Sequence, residues 1–462
     1  MNMRNHLKNI SFLLILLGTF QFTHAKSIQA IKLFKYDTTT HNNASRKWRF
    51  HQEIPQSENG HLDLEASVIV AGMLCFLAAS VSSAGGIGGG GLFVPILTII
   101  AGFDLKKASG FSAFMVTGGS IANVIYNMFI KRRGNGSNTL IDYDIALLSE
   151  PFMLLGVSIG VICNTMFPEW LITILFAVFL AWSTSKTCRS GVKYWKKETE
   201  RARLTESQNL RNIYAEEISR IEEALLEKKQ ERSLDIPWLK LGMLLIIWLS
   251  FFFLNLLHGN RFGQGIIPVE ACGVIYWIIT SMQLPLAIIF TAWILYSKQN
   301  LHTRASNEQE SGDDECEGAL SAKLIFPLMA LIAGGLGGVF GIGGGMLISP
   351  LLLQVGLQPE VTAATCSFMV FFSSTMSSIE YLLLGMEDPF SASIYAVLCF
   401  LGSLIGLLIV QKAIRKHGRA SLIVFSVGIV LALSSVLMTS FGAFDVWQDY
   451  TSGAYMGFSQ PC

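Results

Sequence analysis

Gly86-Ile87-Gly88-Gly89-Gly90-Gly91-Leu92-Phe93-Val94-Pro95 recurs 255 positions later as Gly341-Ile342-Gly343-Gly344-Gly345-Met346-Leu347-Ile348-Ser349-Pro350. The register continues without a gap. Leu97 meets Leu352, Ala108 meets Ala363, Ser112 meets Ser367 and Tyr126 meets Tyr381, and 11 of the 43 positions from 86 to 128 are identical. Further on, Leu155-Gly156 with Gly160 echoes Leu401-Gly402 with Gly406, two small-xxx-small patterns of the kind that let helices approach closely in lipid. Each Gly costs about 1 kcal/mol against Ala inside a helix. A run of four or five small residues therefore predicts that the backbone unwinds at both places. Gly86-x-Gly88-x-x-Gly91 also matches a dinucleotide fingerprint as a string. An apolar segment of membrane-span character precedes it in place of a strand, and Met346 breaks the pattern in the second copy, so that reading is rejected.

The flanking composition says what kind of chain carries the repeat. It has 462 residues, 51% hydrophobic and 15% charged, with a mean hydropathy of +0.48. A soluble domain is near a quarter charged, so an ordinary soluble enzyme, a coiled coil and a disordered chain are all excluded, and a membrane protein remains. The net charge of +1 offers no electrostatic footprint for nucleic acid. The eight cysteines (Cys75, Cys163, Cys188, Cys272, Cys316, Cys366, Cys399 and Cys462) form neither a CxxC nor a metal spacing. No His/Asp/Glu cluster or Ser–His pair points to an enzyme, a metal or a cofactor.

Twelve hydrophobic segments are read at 66–84, 91–102, 108–130, 145–166, 169–187, 239–257, 270–297, 323–340, 346–357, 361–385, 391–411 and 420–441. Segments 91–102 and 346–357 fall short of the roughly 20 residues that cross a bilayer. They read as half-helices that end inside the protein. Pro285 and the length of 270–297 predict that this segment is kinked, tilted or broken. Residues 1–25 read as a signal peptide with a basic start (Arg4, Lys8) and a short apolar run, followed by a polar lumenal or extracellular tail at 26–63. With that tail outside and each segment, the two short ones included, counted as one crossing, Lys131-Arg132-Arg133, the charged loop 190–236 and the turn holding Lys412, Arg415, Lys416 and Arg419 all fall inside; a re-entrant 91–102 would instead put Lys131-Arg132-Arg133 outside. This count predicts a glycan on Asn43 and none on Asn135. The chain then divides into a first transmembrane repeat at 64–189, connecting segments at 237–298, an acidic linker at 299–322, a second repeat at 323–441 and a tail at 442–462. In the 190–236 loop, Tyr214, Ile218, Ile221 and Leu225 make a short helical stripe.

Seven segments separate the starts of the two glycine runs, and an odd number inverts the second copy across the membrane. Inverted repeats around a midplane site are the plan of many secondary transporters, and short Gly/Pro-interrupted segments at matched positions mark the site. Unwound N–H groups together with a helix N-terminus make an anion site. The candidate substrate-binding residues are therefore Gly86, Gly88, Gly89, Gly90, Pro95 and Ser112 in the first copy and Gly341, Gly343, Gly344, Gly345, Pro350 and Ser367 in the second. The alternative is that the glycines serve only close helix crossing. An ionisable residue inside a span is a functional candidate by default. Glu380, with Ile125 at the matched position of the first copy, is the proton-coupling candidate, and Glu150 before Pro151 is a second.

The segments Gly85–Pro95 with the 108–128 helix, and Gly337–Pro350 with the 361–385 helix beginning Val361-Thr362-Ala363-Ala364-Thr365-Cys366-Ser367-Phe368, resemble the TauE/SafE family of sulfite exporters. The long charged loop with Tyr194-Trp195-Lys196-Lys197-Glu198-Thr199, and Cys272-Gly273 with Tyr276-Trp277, look like its eukaryotic, plant- and protist-type branch. The resemblance covers 66–441. It implies an all-α polytopic carrier in the plasma membrane or an endomembrane, with sulfite or a related organosulfur oxyanion as substrate and no catalytic residues. The partners so read are a small anion, the lipid bilayer, a cytoplasmic partner of the 190–236 loop and a second copy of the chain. The alternative function is a non-transporting membrane scaffold acting through that loop.

Overall fold

The computed structural model describes residues 66–129, 140–215, 238–258, 274–305, 316–355, 357–386, 388–417, 421–452 and 457. The signal peptide, the polar tail, both sequons, Lys131-Arg132-Arg133 and most of the stripe from Tyr214 to Leu225 lie outside these residues. Among the described residues the chain is all helical, with twelve α-helices: α1 Ala66–Ser82, α2 Gly90–Ile99, α3 Leu105–Phe129, α4 Tyr143–Met166, α5 Glu169–Ala215, α6 Trp238–His258, α7 Val274–Ala305, α8 Cys316–Phe340, α9 Gly345–Gln354, α10 Pro359–Leu383, α11 Pro389–His417 and α12 Ser421–Ser452. Each falls on one of the twelve expected segments. Seven are long and apolar enough to cross a membrane, and the protein is an integral, multi-pass membrane protein. The helices α2 and α9 have 10 residues each, about 15 Å at 1.5 Å per residue. That is half of a hydrocarbon core about 30 Å thick.

Packing follows the repeat. In order, α1 to α5 match α8 to α12, and the matched helices make matched contacts. Thus α1 packs on α11 as α8 packs on α4, α3 packs on α11 as α10 packs on α4, and α5 lies against α12. The small-xxx-small pairs set the closest crossings. A Cβ on Gly402 would overlap the Phe76 carbonyl region, 2.7 Å away, and one on Gly406 would meet the Ser80 carbonyl. In the other half, Gly156 faces the Leu331 carbonyl and Gly160 the Gly335 carbonyl. Residues 331 and 335 are 76 and 80 shifted by 255, so the two crossings are the same contact made twice. At the centre, α3 and α10 cross with opposite polarity: Thr117 Oγ1 lies 2.9 Å from Ser378 Oγ, and Ser120 Oγ lies 3.4 Å from Ser374 Oγ.

The seven long spans do not include α10, because Ser and Thr lower its hydropathy. It does not need to face lipid: every residue from Val361 to Tyr381 is buried in protein, and most of its hydroxyls bond within the bundle. Lipid-facing duty falls on the outer helices. The apolar stretch of α3 is 89% buried in protein, against 22% for α7, whose Ile278, Met282, Ile289 and Trp293 point outward.

Of the readings for the Pro285 segment, a break is excluded, since α7 runs unbroken from Val274 to Ala305. The charged stretch from 190 is helical as far as Ala215, as one helix continuous with α5. The continuation is docked. Tyr194 donates to the carbonyls of Leu353 (3.1 Å), in the last turn of α9, and Leu357 (2.7 Å), just past its end. Glu198 accepts from the Ser421 N–H (3.0 Å) and hydroxyl (2.5 Å), placing a carboxylate at the positive end of α12, where it stabilises the helix.

Candidate anion site at the paired glycine turns

Each half-helix is entered through a glycine turn. Gly86, Gly88 and Gly89, and their counterparts Gly341, Gly343 and Gly344, all lie between φ +54° and +82°. L-residues with a side chain pay roughly 1–2 kcal/mol there. Gly89 and Gly344 are the residues just before α2 and α9.

Each turn rests on the long helix of the other repeat. A Cβ on Gly86 would overlap the Ala363 carbonyl and lie 2.7 Å from Ser367 Oγ, and one on Gly341 would overlap the Ser109 carbonyl. The turns also touch one another: a Cβ on Gly90 would lie 2.7 Å from Ile342 Cα, and one on Gly345 would lie 3.6 Å from Ile87 Cα. Val116 of α3 and Val370 of α10 pack against both Gly88 and Gly343. Close packing therefore accounts for much of the glycine content. It does not account for the amides. All of these residues are buried. Among the described residues the N–H groups of Gly88, Gly89, Gly343, Gly344 and Met346 make no hydrogen bond of ordinary geometry to a protein acceptor. Buried backbone donors are seldom left without an acceptor.

The matched prolines have a direct structural consequence. Proline has no N–H, so Pro95 leaves the carbonyl four residues back, Gly91 O, without its helical donor, and Pro350 does the same to Met346 O. A serine from the last helix of the opposite repeat supplies each missing donor. Ser434 of α12 donates to Gly91 O, and Ser183 of α5 donates to Met346 O at 3.2 Å. Pro95 and Pro350 thus dock each half-helix on the other half of the protein. Ser434→Ala should lower the melting temperature of the purified protein, since an orphaned buried carbonyl costs about 1–3 kcal/mol. Pro95→Ala in the same chain restores a donor within the helix and should recover most of the loss.

Of the other candidates, Ser367 donates to Ala363 O (2.8 Å) beside Gly86, while Ser112 is fully buried with an unpaired hydroxyl. Asn123 on α3 is buried with both amide atoms unpaired. Glu380 is not at the turns. Ser373 donates to Gly343 O (3.3 Å), and Glu380 lies seven residues further, about 10 Å along α10. It is 6% exposed and so not an interfacial, solvated group. Its Oε1 accepts from Ser158 of α4 and from Asn255 Nδ2 of α6 (2.7 Å), and Asn255 Oδ1 accepts in turn from Gln283 Nε2 of α7 (2.7 Å). Glu380 Oε2 has no partner among the described residues. Asn255 and Gln283 are not among the sequence candidates. An amide side chain inside an otherwise apolar span is the available signal. No group of three or more metal-ligating side chains occurs among the described residues.

The site thus belongs to a polytopic helical membrane protein in which two half-helices enter a buried centre through paired glycine turns. The family model described as "Sulfite exporter TauE/SafE" matches residues 7–187 and 231–444, and the chain belongs to that family of membrane transporters. It is 61% identical over 407 residues to Sulfite exporter TauE/SafE family protein 2 of Arabidopsis thaliana, covering 87% of this chain and 89% of the relative. It is 55% identical over 432 residues to family protein 1 (92% and 94%) and 56% identical over 426 residues to family protein 5 (91% and 93%) of the same organism. No solved structure matches.

Proposed function

We propose that the protein is a secondary carrier of a small oxyanion, sulfite or a related organosulfur anion, that binds between the two glycine turns and moves with a proton. The observation that carries this reading is the set of buried, unpaired amides at the mouths of two half-helices that touch. Helix N-termini and unwound amides favour negative charge. Two of them converging from opposite repeats suit an anion presenting oxygens on two sides. The opposite polarity of α3 and α10 supports an inverted arrangement of the halves, as alternating access around a fixed central site requires. Family membership and the relatives' names favour sulfite among the oxyanions. Glu380, buried and held by α4 and α6, is the proton-coupling candidate. The relatives are named as exporters, which supports transport over catalysis.

The test is sulfite flux in proteoliposomes of the purified protein, with and without a pH gradient, against sulfate, thiosulfate and acetate as competitors. The expected result is saturable sulfite flux that rises with the gradient. Flux of another of these anions would keep the mechanism and replace the substrate. No flux of any of them from folded protein would overturn the reading.

A further inference from the structure

We propose that Glu150 is a second proton-binding group, set beside the second glycine turn, and that with Glu380 it makes the α4–α10 interface a one-sided proton path. The proposal rests on the carrier reading above. Glu150 is fully buried, and neither carboxylate oxygen has a partner among the described residues. A carboxylate in that setting is costly unless it carries a proton or meets one in the transport cycle.

Its place follows from α4. Met153, one turn further and on the same face, brings Cε within 2.6 Å of where a Cβ on Gly344 would lie. Register agrees. The Asp142 N–H donates to Thr365 Oγ1 (2.9 Å), and Ser158 donates to Glu380, so α4 and α10 run parallel. Glu150, midway between Asp142 and Ser158, is level with Phe372 and Ser373. Ser373 holds the Gly343 carbonyl. Between Ser373 and Glu380 on one face of α10 stands Ser377, fully buried with its hydroxyl unpaired. Ser373, Ser377 and Glu380 step by four and three, a single helical stripe.

The matched interface of the other half has neither carboxyl. The crossings at Gly156/Gly160 and Gly402/Gly406 pair α4 with α11 at an offset of 246, so Glu150 corresponds to Ala396 and Glu380 to Ile125. There the Ala396 backbone carbonyl closes directly on Gly118 of α3, the residue matched to Ser373. The helix pair that has no counterpart in the repeat covers the acidic interface. Asn255 of α6 bonds Glu380, Gln283 of α7 bonds Asn255, and Trp248 of α6 donates to Phe372 O at 3.2 Å. The other titratable groups on the surrounding helices are few. Tyr381 of α10 donates to Gly338 O (2.8 Å). Cys366 of α10 is buried with its thiol on Gly345 O (3.1 Å), and Tyr143, at the start of α4, is buried against the Phe368 ring. Asp144 of α4 pairs with Lys240 of α6 at 2.8 Å, about two turns below Glu150. Glu360 is half-buried at the start of α10, Cys163 lies near the end of α4, and Tyr296 of α7 is exposed. None of the side chains described on α8 is titratable.

In this scheme the proton on Glu150 neutralises the carboxylate while an anion occupies the turns. Transfer breaks that O–H bond as a new one forms on the next oxygen along the Ser377 stripe, ending on Glu380 Oε2 with no net change of charge. The carboxylate left at Glu150 then repels the anion.

The test separates net drive from exchange in proteoliposomes of the full chain. Glu150→Gln should lose at least tenfold of gradient-driven sulfite uptake and retain sulfite–sulfite exchange at equal pH. Glu380→Gln should behave the same way, whereas the wild type shows both. Wild-type gradient drive in Glu150→Gln would overturn the inference, and so would loss of exchange along with it in a variant of normal melting temperature. Absence of flux in the wild type would sink the carrier reading instead. A measurement on unmutated protein guards against a variant that does not fold. Hydrophobic carbodiimide, which reacts with protonated carboxyls in membranes, should label Glu150, with labelling that sulfite changes, and mass spectrometry of the peptide should locate it. No label on Glu150 at any pH between 5 and 8 would overturn the assignment.

Discussion

Gly341→Ala is expected to prevent the protein from reaching a folded state, whereas Gly102→Ala is expected to cost little. Both glycines have positive φ, +63° and +66°, so both substitutions pay the left-handed penalty of about 1–2 kcal/mol. What differs is space. A Cβ on Gly102 has nothing within 4 Å, while one on Gly341 lands on the Ser109 backbone carbonyl. Backbone in the middle of a buried helix cannot rotate away as a side chain would, so α3 would have to shift against the turn. Overpacking of a core costs about 1–3 kcal/mol even where side chains can adjust, and here they cannot. The comparison reads as the yield of monodisperse protein after detergent extraction: near wild type for Gly102→Ala, and lost for Gly341→Ala. Equal yields would mean that the turn is not packed as described.

The second large effect concerns function with folding intact. At Gly89 a Cβ would meet Phe93 Cζ at 2.6 Å and Ser82 Oγ at 2.7 Å, and at Gly344 it would meet Met153 Cε at 2.6 Å. Each is the far end of a side chain, although at Gly344 the Ala333 carbonyl also stands at 3.0 Å. The double variant Gly89→Ala/Gly344→Ala should therefore reach the membrane, with some loss of stability. Its methyls stand at the mouths of both half-helices, beside the unpaired amides. Sulfite flux should fall at least tenfold at matched protein levels. Either single variant should lie between, because each turn supplies only half of the donors. Flux within twofold of wild type in the double variant would remove the turns from the substrate path and leave the glycines to packing alone.

Much of this architecture could be read from the chain, for physical reasons. Glycine in series is costly in a helix, so Gly86–Gly91 and Gly341–Gly345 announce the breaks, and the ten-residue apolar runs after them can only be half-helices. Gly156/Gly160 and Gly402/Gly406 announce the closest crossings because few other uses exist for two small residues one turn apart in lipid. Polar contacts made once, between helices far apart in sequence, leave no such trace. Ser183 and Ser434 look like any serine in an apolar helix until Pro350 and Pro95 are seen to have orphaned the carbonyls they reach. Asn255 and Gln283 acquire meaning only when α6 and α7 are laid beside Glu380. The charge of 190–236 marks it as lying outside the membrane but does not show where its first part docks. The Lys, Arg and Glu of that first part lie on a helix that Tyr194 and Glu198 fasten to α9 and α12, contacts that no local pattern foretells.

The central claim, one anion held between two glycine turns, is tested most directly by equilibrium binding of radiolabelled sulfite to the purified protein. The account predicts one saturable site per chain in the wild type and in Gly102→Ala, displaced by competing oxyanions and absent from Gly89→Ala/Gly344→Ala. Undiminished binding in that double variant, or two independent sites per chain, would contradict it.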